Sequence, residues 1–325
     1  MTRVAVIGAG RFGQNHLRIL SKHPQAQLVA VVDPDDAACG KAVTEYGGQG
    51  FAAASDVIGI VDAAVVVSPT TTHAAVAVPL LEAGIDVLVE KPIAATRAEA
   101  ERILAAAEAN GRVLQVGHVE RFNPAVEALA GAVTVPLFFE IHRMSLLSPR
   151  SMDVDVVLDL MIHDLDLVLA LTGVTPEEIR AAGISVLSDK VDLAHVRLAF
   201  ANGCIANLTA SRVSTEAVRK LRLFQPHQYF SLDYAKQELF SVKVSGDRQF
   251  GFAPIAFSKR DALEAELGDF LECVRTRRRP RVDGAAGLAA LEVALDILAK
   301  IEEHGRQVAR TLATSAGPHL PNSGS

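Results

Sequence analysis

Val4-Ala5-Val6-Ile7-Gly8-Ala9-Gly10-Arg11-Phe12-Gly13 is the stretch that decides the fold. A short apolar run of strand length breaks into Gly8-x-Gly10-x-x-Gly13, and a helix is expected from about Phe12 to Ser21. Glycines at this spacing let the backbone turn tightly and let a pyrophosphate approach the positive end of a helix. The motif alone is weak. Here it opens a strand–helix–strand unit, and Asp33 follows the second apolar run, Leu28–Val32. A carboxylate at that place accepts hydrogen bonds from ribose hydroxyls and repels a 2′-phosphate, which points to NAD rather than NADP. The competing reading of Asp33 is a turn residue before Pro34. Gly8, Gly10, Arg11, Phe12, Gly13 and Asp33 are the first candidate cofactor residues.

Further apolar runs of strand length follow at Ala63–Val67, Val87–Glu90 and Val113–Val116, with helical stretches near Thr72–Ala83 and Thr96–Asn110 between them. Thr96 with Glu99 three residues on has the form of a capping box. Strands alternating with helices predict an α/β fold, a doubly wound parallel sheet of Rossmann type. Near Arg121 the pattern changes to alternating strands: Phe138–Arg143, Ala194–Phe200, Cys204–Ser211, Lys220–Phe224 and Tyr229–Asp233, with a hairpin turn at Asn202-Gly203. One helix, about Val157–Leu171, interrupts them. Two more, about Lys259–Arg277 and Gly284–Glu303, close the fold, the second with Asp283 as N-cap. We therefore expect an NAD-binding Rossmann domain over 1–120. A second, α+β domain built on a mostly antiparallel open sheet is expected over 121–310, for substrate and oligomerisation. The Ser/Gly/Pro-rich tail, 311–325, is expected to be disordered.

Composition narrows the function classes. The net charge of the 325-residue chain is −6, which disfavours nucleic acid as a partner. The basic run Arg275, Arg277, Arg278, Arg279, Arg281 follows Glu264, Glu266, Asp269 and Glu272, and reads as a solvated helix end matching the helix dipole. Half the residues are hydrophobic, yet no run reaches the ~18 apolar residues of a membrane span. The opening residues do not read as a signal peptide. Cys39, Cys204 and Cys273 are scattered, which argues for a reducing cytoplasm and against a metal site.

Chemistry concentrates at the strand ends. The loop Ser68, Pro69, Thr70, Thr71, Thr72, His73 follows an inner strand and faces the place where such sheets bind ligands. Thr72 as a plain helix cap is an equal reading. Lys91, in Val87-Leu88-Val89-Glu90-Lys91-Pro92, ends a buried strand and points into the same crevice, where burial makes an ammonium useful for polarising an oxygen or moving a proton. Asp159 and His163 are i and i+4 on a helix, with Asp166 continuing the face. A carboxylate beside a histidine orients the ring and raises its proton affinity; a helix-start charge, a core histidine and a metal pair are the other readings. Gly117-His118-Val119-Glu120-Arg121-Phe122-Asn123-Pro124 joins the two halves, so His118, Arg121 and Asn123 are candidate pocket groups, with a packing role an equal reading of His118.

These motifs, in this order and spacing, resemble the glucose–fructose oxidoreductase / inositol dehydrogenase / rhizopine catabolism (Gfo/Idh/MocA) family over about residues 1–305. The resemblance implies a nicotinamide cofactor in the first domain, with Ser68, Pro69, Thr70, His73, Glu90 and Lys91 added to its binding set. It further implies catalysis by Lys91, Asp159 and His163, oxidation of a ring hydroxyl of a sugar, sugar derivative or cyclitol, and a sheet that often joins subunits, here into a homodimer or homotetramer. A narrower likeness in Val116–Val126, Asp153–Leu169 and Phe224–Glu238 is to the UDP-N-acetylglucosamine 3-dehydrogenases, whose 3-keto product an aminotransferase converts. That adds a nucleotide sugar as substrate and an aminotransferase as pathway partner. Arg143, Arg150, Arg212, Arg219 and Lys220 are the second-domain cations available to grip a diphosphate, with Arg150 and Arg212 placed in the substrate set. A free-sugar or inositol dehydrogenase, a redox-neutral glycosidase of the same fold that uses NAD transiently, and a non-catalytic NAD sensor are the alternatives.

Overall fold

The computed structural model describes residues 1–146, 154–187, 189–244 and 249–315. Its first sheet has six strands, β1 (Thr2–Ile7), β2 (Ala26–Val32), β3 (Gln49–Phe51), β4 (Ala63–Val66), β5 (Asp86–Glu90) and β6 (Leu114–Gly117), in the order β3-β2-β1-β4-β5-β6. All its pairings are parallel. Every residue of β4 is buried, as a strand covered on both faces requires. The helices α1 (Arg11–Leu20), α2 (Asp36–Tyr46), α3 (His73–Glu82) and α4 (Arg97–Ala109) connect them. The expected capping box forms: Thr96 Oγ1 accepts from the Glu99 amide and the Glu99 carboxylate accepts from the Thr96 amide. Strand order reverses between β1 and β4, which opens a crevice at their carboxyl ends.

The second sheet has eight strands: β7 (Phe138–Leu146), β8 (Pro176–Ile184), β9 (Leu193–Phe200), β10 (Ile205–Ser214), β11 (Val218–Gln225), β12 (Gln228–Asp233), β13 (Glu238–Val244) and β14 (Phe250–Pro254). It is antiparallel except where β10 runs parallel to β7. Burial alternates along β7, β9 and β11, with one face turned to the core. The helix α5 (Pro124–Ala132), one π turn (Val157–Met161) and the helix α6 (Ile162–Thr172) pack into that core. The outer face carries Phe138, Phe224 and Tyr229, whose rings stand 6.0 and 5.4 Å apart in sequence along the patch. No helix among the described residues is long and apolar enough to cross a membrane.

The expected boundary at 120/121 follows the chain but not the cores. Leu267, Phe270, Leu271 and Cys273 of α7 (Ala262–Thr276) lie fully buried against the parallel sheet, beside Leu17, Val31 and Val65. The apolar stripe of α7 matches the face of β1 and α1, so the first sheet borrows its cover from the far end of the chain. The last helix, α8 (Gly284–Ser315), serves both cores: Leu291 packs in the first, Ala294 and Ile297 in the second. It also runs past the expected end near Glu303, so 311–315 are helical rather than disordered tail; 316–325 lie outside the described residues. The basic run is committed to acids: Arg275 to Glu272, Arg277 to Asp86, Arg278 to Asp269, Arg279 to Asp283 and Arg281 to Glu127.

Candidate active site

Strand β1 delivers the glycine loop to the crevice. Gly8 has φ +106°, and a Cβ there would lie 2.7 Å from the Val67 carbonyl oxygen; a Cβ on Gly13 would lie 1.9 Å from the Gly8 oxygen. Both positions exclude any other residue. Gly10 faces open space instead, which is what close approach of a pyrophosphate to the N-terminus of α1 requires. Asp33 stands at the end of β2, where its carboxylate accepts from the Ala9 amide at 2.7 Å and the Asp35 amide at 2.9 Å. One bond to each oxygen leaves lone pairs free for a ribose diol. Gly8, Gly10, Arg11, Phe12, Asp33, Ser68 and Pro69 line one cleft of about 680 Å³. Phe12 is 62 % exposed on its rim, an aromatic face with nothing above it among the described residues. These residues fit an NAD molecule.

A second cavity of about 360 Å³ adjoins the first through Phe12, Val67, Ser68 and Pro69, and is closed by Thr70, His73, Glu90, Lys91, Leu158 and Asp159. Lys91 is here. Its Nζ donates to the Asp159 main-chain oxygen at 2.6 Å and approaches Asp159 Oδ1 at 3.5 Å. His73 does not face the cleft as a ligand would. Its Nδ1 lies 3.0 Å from the Pro92 oxygen and its Nε2 2.9 Å from the Ser68 oxygen, so it braces the two loops against each other. Thr72 does not cap α3 with its side chain; its hydroxyl bonds Ser68 Oγ and the Pro69 oxygen, both at 2.7 Å. Glu90 is likewise a brace: it accepts from the Lys91 amide at 3.0 Å and stands 3.3 Å from His16 Nε2.

Asp159 lines the pocket from the second half and His163 follows it on the chain, but the two are not a hydrogen-bonded pair. Asp159 belongs to the π turn, which shifts it around the axis from the α-helical i,i+4 alignment with His163. Its carboxylate faces Lys91, and His163 Nδ1 is buried without a partner among the described residues. Burial first, then the charges of Lys91, Arg143 and Arg219, hold the His163 pKa well below the usual 6.5, so the ring is neutral at neutral pH. The neutral His118 ring stands edge-on to it, 6.2 Å between centroids, its own pKa lowered chiefly by burial.

Several residues expected to hold substrate are committed internally. Arg121 pairs with Asp166 at 3.4 Å. Asn123 caps α5 through the Ala125 amide and donates to Glu120 and the Tyr234 oxygen. His118 is wholly buried. Arg212 is 5 % exposed, pairs with Asp192 at 3.4 Å and donates to the main-chain oxygens of Val154 and Val191. Arg150 lies outside the described residues. A hydrophilic residue inside a short turn or at a strand end reads from sequence as exposed; here the turn is closed over by α6 and β12.

Two groups are placed otherwise than the sequence reading had them: Arg143, expected to be available for a diphosphate, and Glu266, expected on a solvated helix end, are both buried. Arg143 makes a two-pronged bond to Asp164, 2.7 and 2.8 Å, and a third to Glu120 at 3.0 Å, with Tyr234 packed 5.0 Å beneath. Glu266, fully buried with neither carboxyl oxygen bonded, faces Glu90 and His16, all within 4.8 Å. Burial and the nearby Glu90 raise its pKa well above the usual carboxylate range, so it is a neutral acid. Nothing in the periodicity of α1 or α7 distinguishes His16 or Glu266 from a surface residue.

Residues 2–118 match the family model described as oxidoreductase family, NAD-binding Rossmann fold, and 145–225 match the GFO/IDH/MocA C-terminal domain. A UDP-N-acetylglucosamine 3-dehydrogenase of Acidithiobacillus ferrooxidans is 36 % identical over 306 residues, covering 92 % of this chain and 97 % of that protein. Its solved structure superposes with a TM-score of 0.88 over 93 % of this chain and 98 % of the other. The rhizopine catabolism protein MocA of Rhizobium meliloti is 26 % identical over 313 residues, 92 % of this chain and 95 % of its own length.

The placement of Arg212 yields a test. Arg212→Ala leaves Asp192 buried without its cation, which costs about 3–5 kcal/mol. Urea denaturation should show that loss. A raised KM for substrate with unchanged stability would contradict the buried role.

Proposed function

Since the chain belongs to the Gfo/Idh/MocA oxidoreductase family, with an NAD-binding Rossmann domain, we propose that it oxidises the 3-hydroxyl of UDP-N-acetylglucosamine. The observation that carries the reading is the seating of Lys91 against Asp159 in a cavity that adjoins the NAD cleft, with the Lys91 charge close enough to His163 to oppose protonation of its ring. Similarity over nearly the whole length to an enzyme named for that substrate supports the choice of sugar. Fold alone would not, because one scaffold of this kind serves many substrates.

The chemistry follows from protonation states. NAD, when bound, accepts a hydride from the ring carbon. Removing hydride from an alcohol requires its proton to leave as well. His163 is neutral and its ring has lone-pair capacity, so it takes that proton as general base. The Lys91 ammonium, anchored by the Asp159 main-chain oxygen, stabilises the substrate oxygen as it becomes a carbonyl. Asp159 holds Lys91 aimed; its main-chain oxygen and carboxylate orient the lysine, where the sequence pattern had the carboxylate orient the histidine. Asp33, tied to the glycine loop, keeps the cofactor choice toward NAD.

The product is a ketone, and an aminotransferase is the reaction class that consumes it. The aromatic patch of Phe138, Phe224 and Tyr229 on the outer face of the second sheet suits burial against a second copy. The protein is accordingly a homodimer or homotetramer in this reading, joined through residues about 137–245. Light scattering at micromolar concentration should give twice or four times the chain mass; a monomer rejects the interface.

Three substrates offered separately with NAD, and an aminotransferase to draw off ketone, test the reaction. NADH should form with UDP-N-acetylglucosamine. If it forms with inositol or glucose and not with the nucleotide sugar, the substrate is wrong and the dehydrogenase stands; release of free UDP without NADH would indicate the glycosidase.

Lys91→Met and His163→Asn should each lower kcat by about 10²–10⁴-fold with little change in NAD affinity. Because the folded His163 pKa is depressed, its base form persists below the ordinary histidine range. The acid limb of kcat/KM should therefore lie below pH 6.5 and disappear in His163→Asn. An acid limb above that value, or one that survives the substitution, removes His163 as the base.

A further inference from the structure

Among the described cations on the inner face of the second sheet and the elements packed on it, one stands apart by being uncommitted. Arg143, Arg121 and Arg212 are each held by a buried carboxylate. Lys220 and Arg222 alternate to the outer face of β11, where Arg222 pairs with Glu140. Arg219 is different. It sits directly opposite Arg143 in the antiparallel pairing of β11 with β7, and directly opposed residues point to the same face of a sheet. Arg143 points to the inner face, where Asp164 of α6 receives it. Leu221, Leu223 and Gln225, two, four and six positions on, are buried on that face. So Arg219 projects inward, at the end of its strand where the core gives way to solvent, and it is exposed. It forms no ion pair among the described residues. Its charge nevertheless reaches His163, where it opposes protonation of the ring together with Lys91.

An exposed guanidinium on the catalytic face, unpaired and within electrostatic range of the base, is a receptor for an anion. The oxidised carbon and the anion must then sit at the two ends of one small molecule. We propose that Arg219 anchors the phosphate nearest the sugar in a nucleoside diphosphate sugar, one ring away from the carbon that His163 and Lys91 address. The inference rests on the proposed nucleotide-sugar reading and gives it a residue: Arg219 takes the clamping role that Arg212 cannot fill from its buried pair with Asp192. A guanidinium is suited to this because its planar fork meets two phosphate oxygens at once. The same charge raises the local concentration of an anionic substrate and favours the neutral form of His163 before substrate arrives.

The test uses the full-length protein saturated with NADH, titrated with UDP by calorimetry, for wild type, Arg219→Ala and Arg219→Lys. Arg219 is exposed, so neither variant should alter thermal unfolding. Arg219→Ala should weaken UDP binding, and raise the KM for UDP-N-acetylglucosamine, about 10- to 100-fold, the scale of one charge-assisted hydrogen bond. The KM for NAD should not move. Arg219→Lys should recover part of the loss, and the salt dependence of UDP binding should fall in Arg219→Ala. UDP that fails to bind wild type, or binds Arg219→Ala within about twofold of wild type, overturns the proposal. UDP binding that depends on Arg219, with no NADH formed from any UDP-sugar, upholds the anion anchor and rejects only the reaction assigned to the site.

Discussion

The contact on which the catalytic cavity depends is the 2.6 Å bond from Lys91 Nζ to the main-chain oxygen of Asp159. It joins the end of a strand in the parallel sheet to the π turn that lies on the antiparallel one. A lysine side chain exposed to only 12 % needs something to compensate the lost water. A main-chain carbonyl does so without neutralising it, and the Asp159 carboxylate 3.5 Å away adds a charge partner. The ammonium is thus fixed in direction and still has donors left for a substrate oxygen. Had Asp159 paired with His163, as helical spacing suggested, it would have raised the histidine's proton affinity. The arrangement seen leaves the histidine neutral and gives the aspartate to the lysine.

What holds the helix carrying His163 in place is ionic and buried. Arg143 bridges Asp164 on α6 to Glu120 in the turn after β6. Such a network adds little net stability over an apolar core, because desolvating the charges offsets their attraction. Its value is geometric: bidentate bonds fix the rotation of α6 about its axis more tightly than Leu-on-Leu packing does. On the other side, His73 ties the β4 loop to Pro92, and Glu90 ties the chain at Lys91 to α1. The candidate groups themselves make few contacts; their neighbours make the contacts for them.

The parallel sheet was legible because buried strands and glycine spacing are local signals. Val4–Ile7, Ala63–Val67 and Val87–Val89 are apolar throughout, and Gly8 and Gly13 are required by contacts a Cβ would violate. The helix α2 and strand β3 were not read, since the helix is small-residue rich and the strand has three residues, Gln49–Phe51. Lys91, Asp159 and His163 were legible as a set. The partner of each was not, because a π turn leaves no mark in hydrophobic periodicity. Polar residues near the junction could not be sorted either. Arg121, Asn123, Arg212 and Arg219 look alike as letters, and only the packing separates three committed side chains from one that is free to bind.

The packing across the expected boundary was hidden for a related reason. A chain that changes from alternating helices and strands to successive strands near Arg121 invites a cut there, yet a sheet open on one flank still needs a cover. Phe270 and its neighbours supply that cover from the far end of the sequence, and α8 then crosses beneath both sheets. The consequence reaches the active site. With α7 covering the first sheet and α8 packed in both cores, the segments that carry Lys91 and His163 belong to one packed body. The spacing of Lys91 and Asp159 is then set by the cores on both sides of their contact.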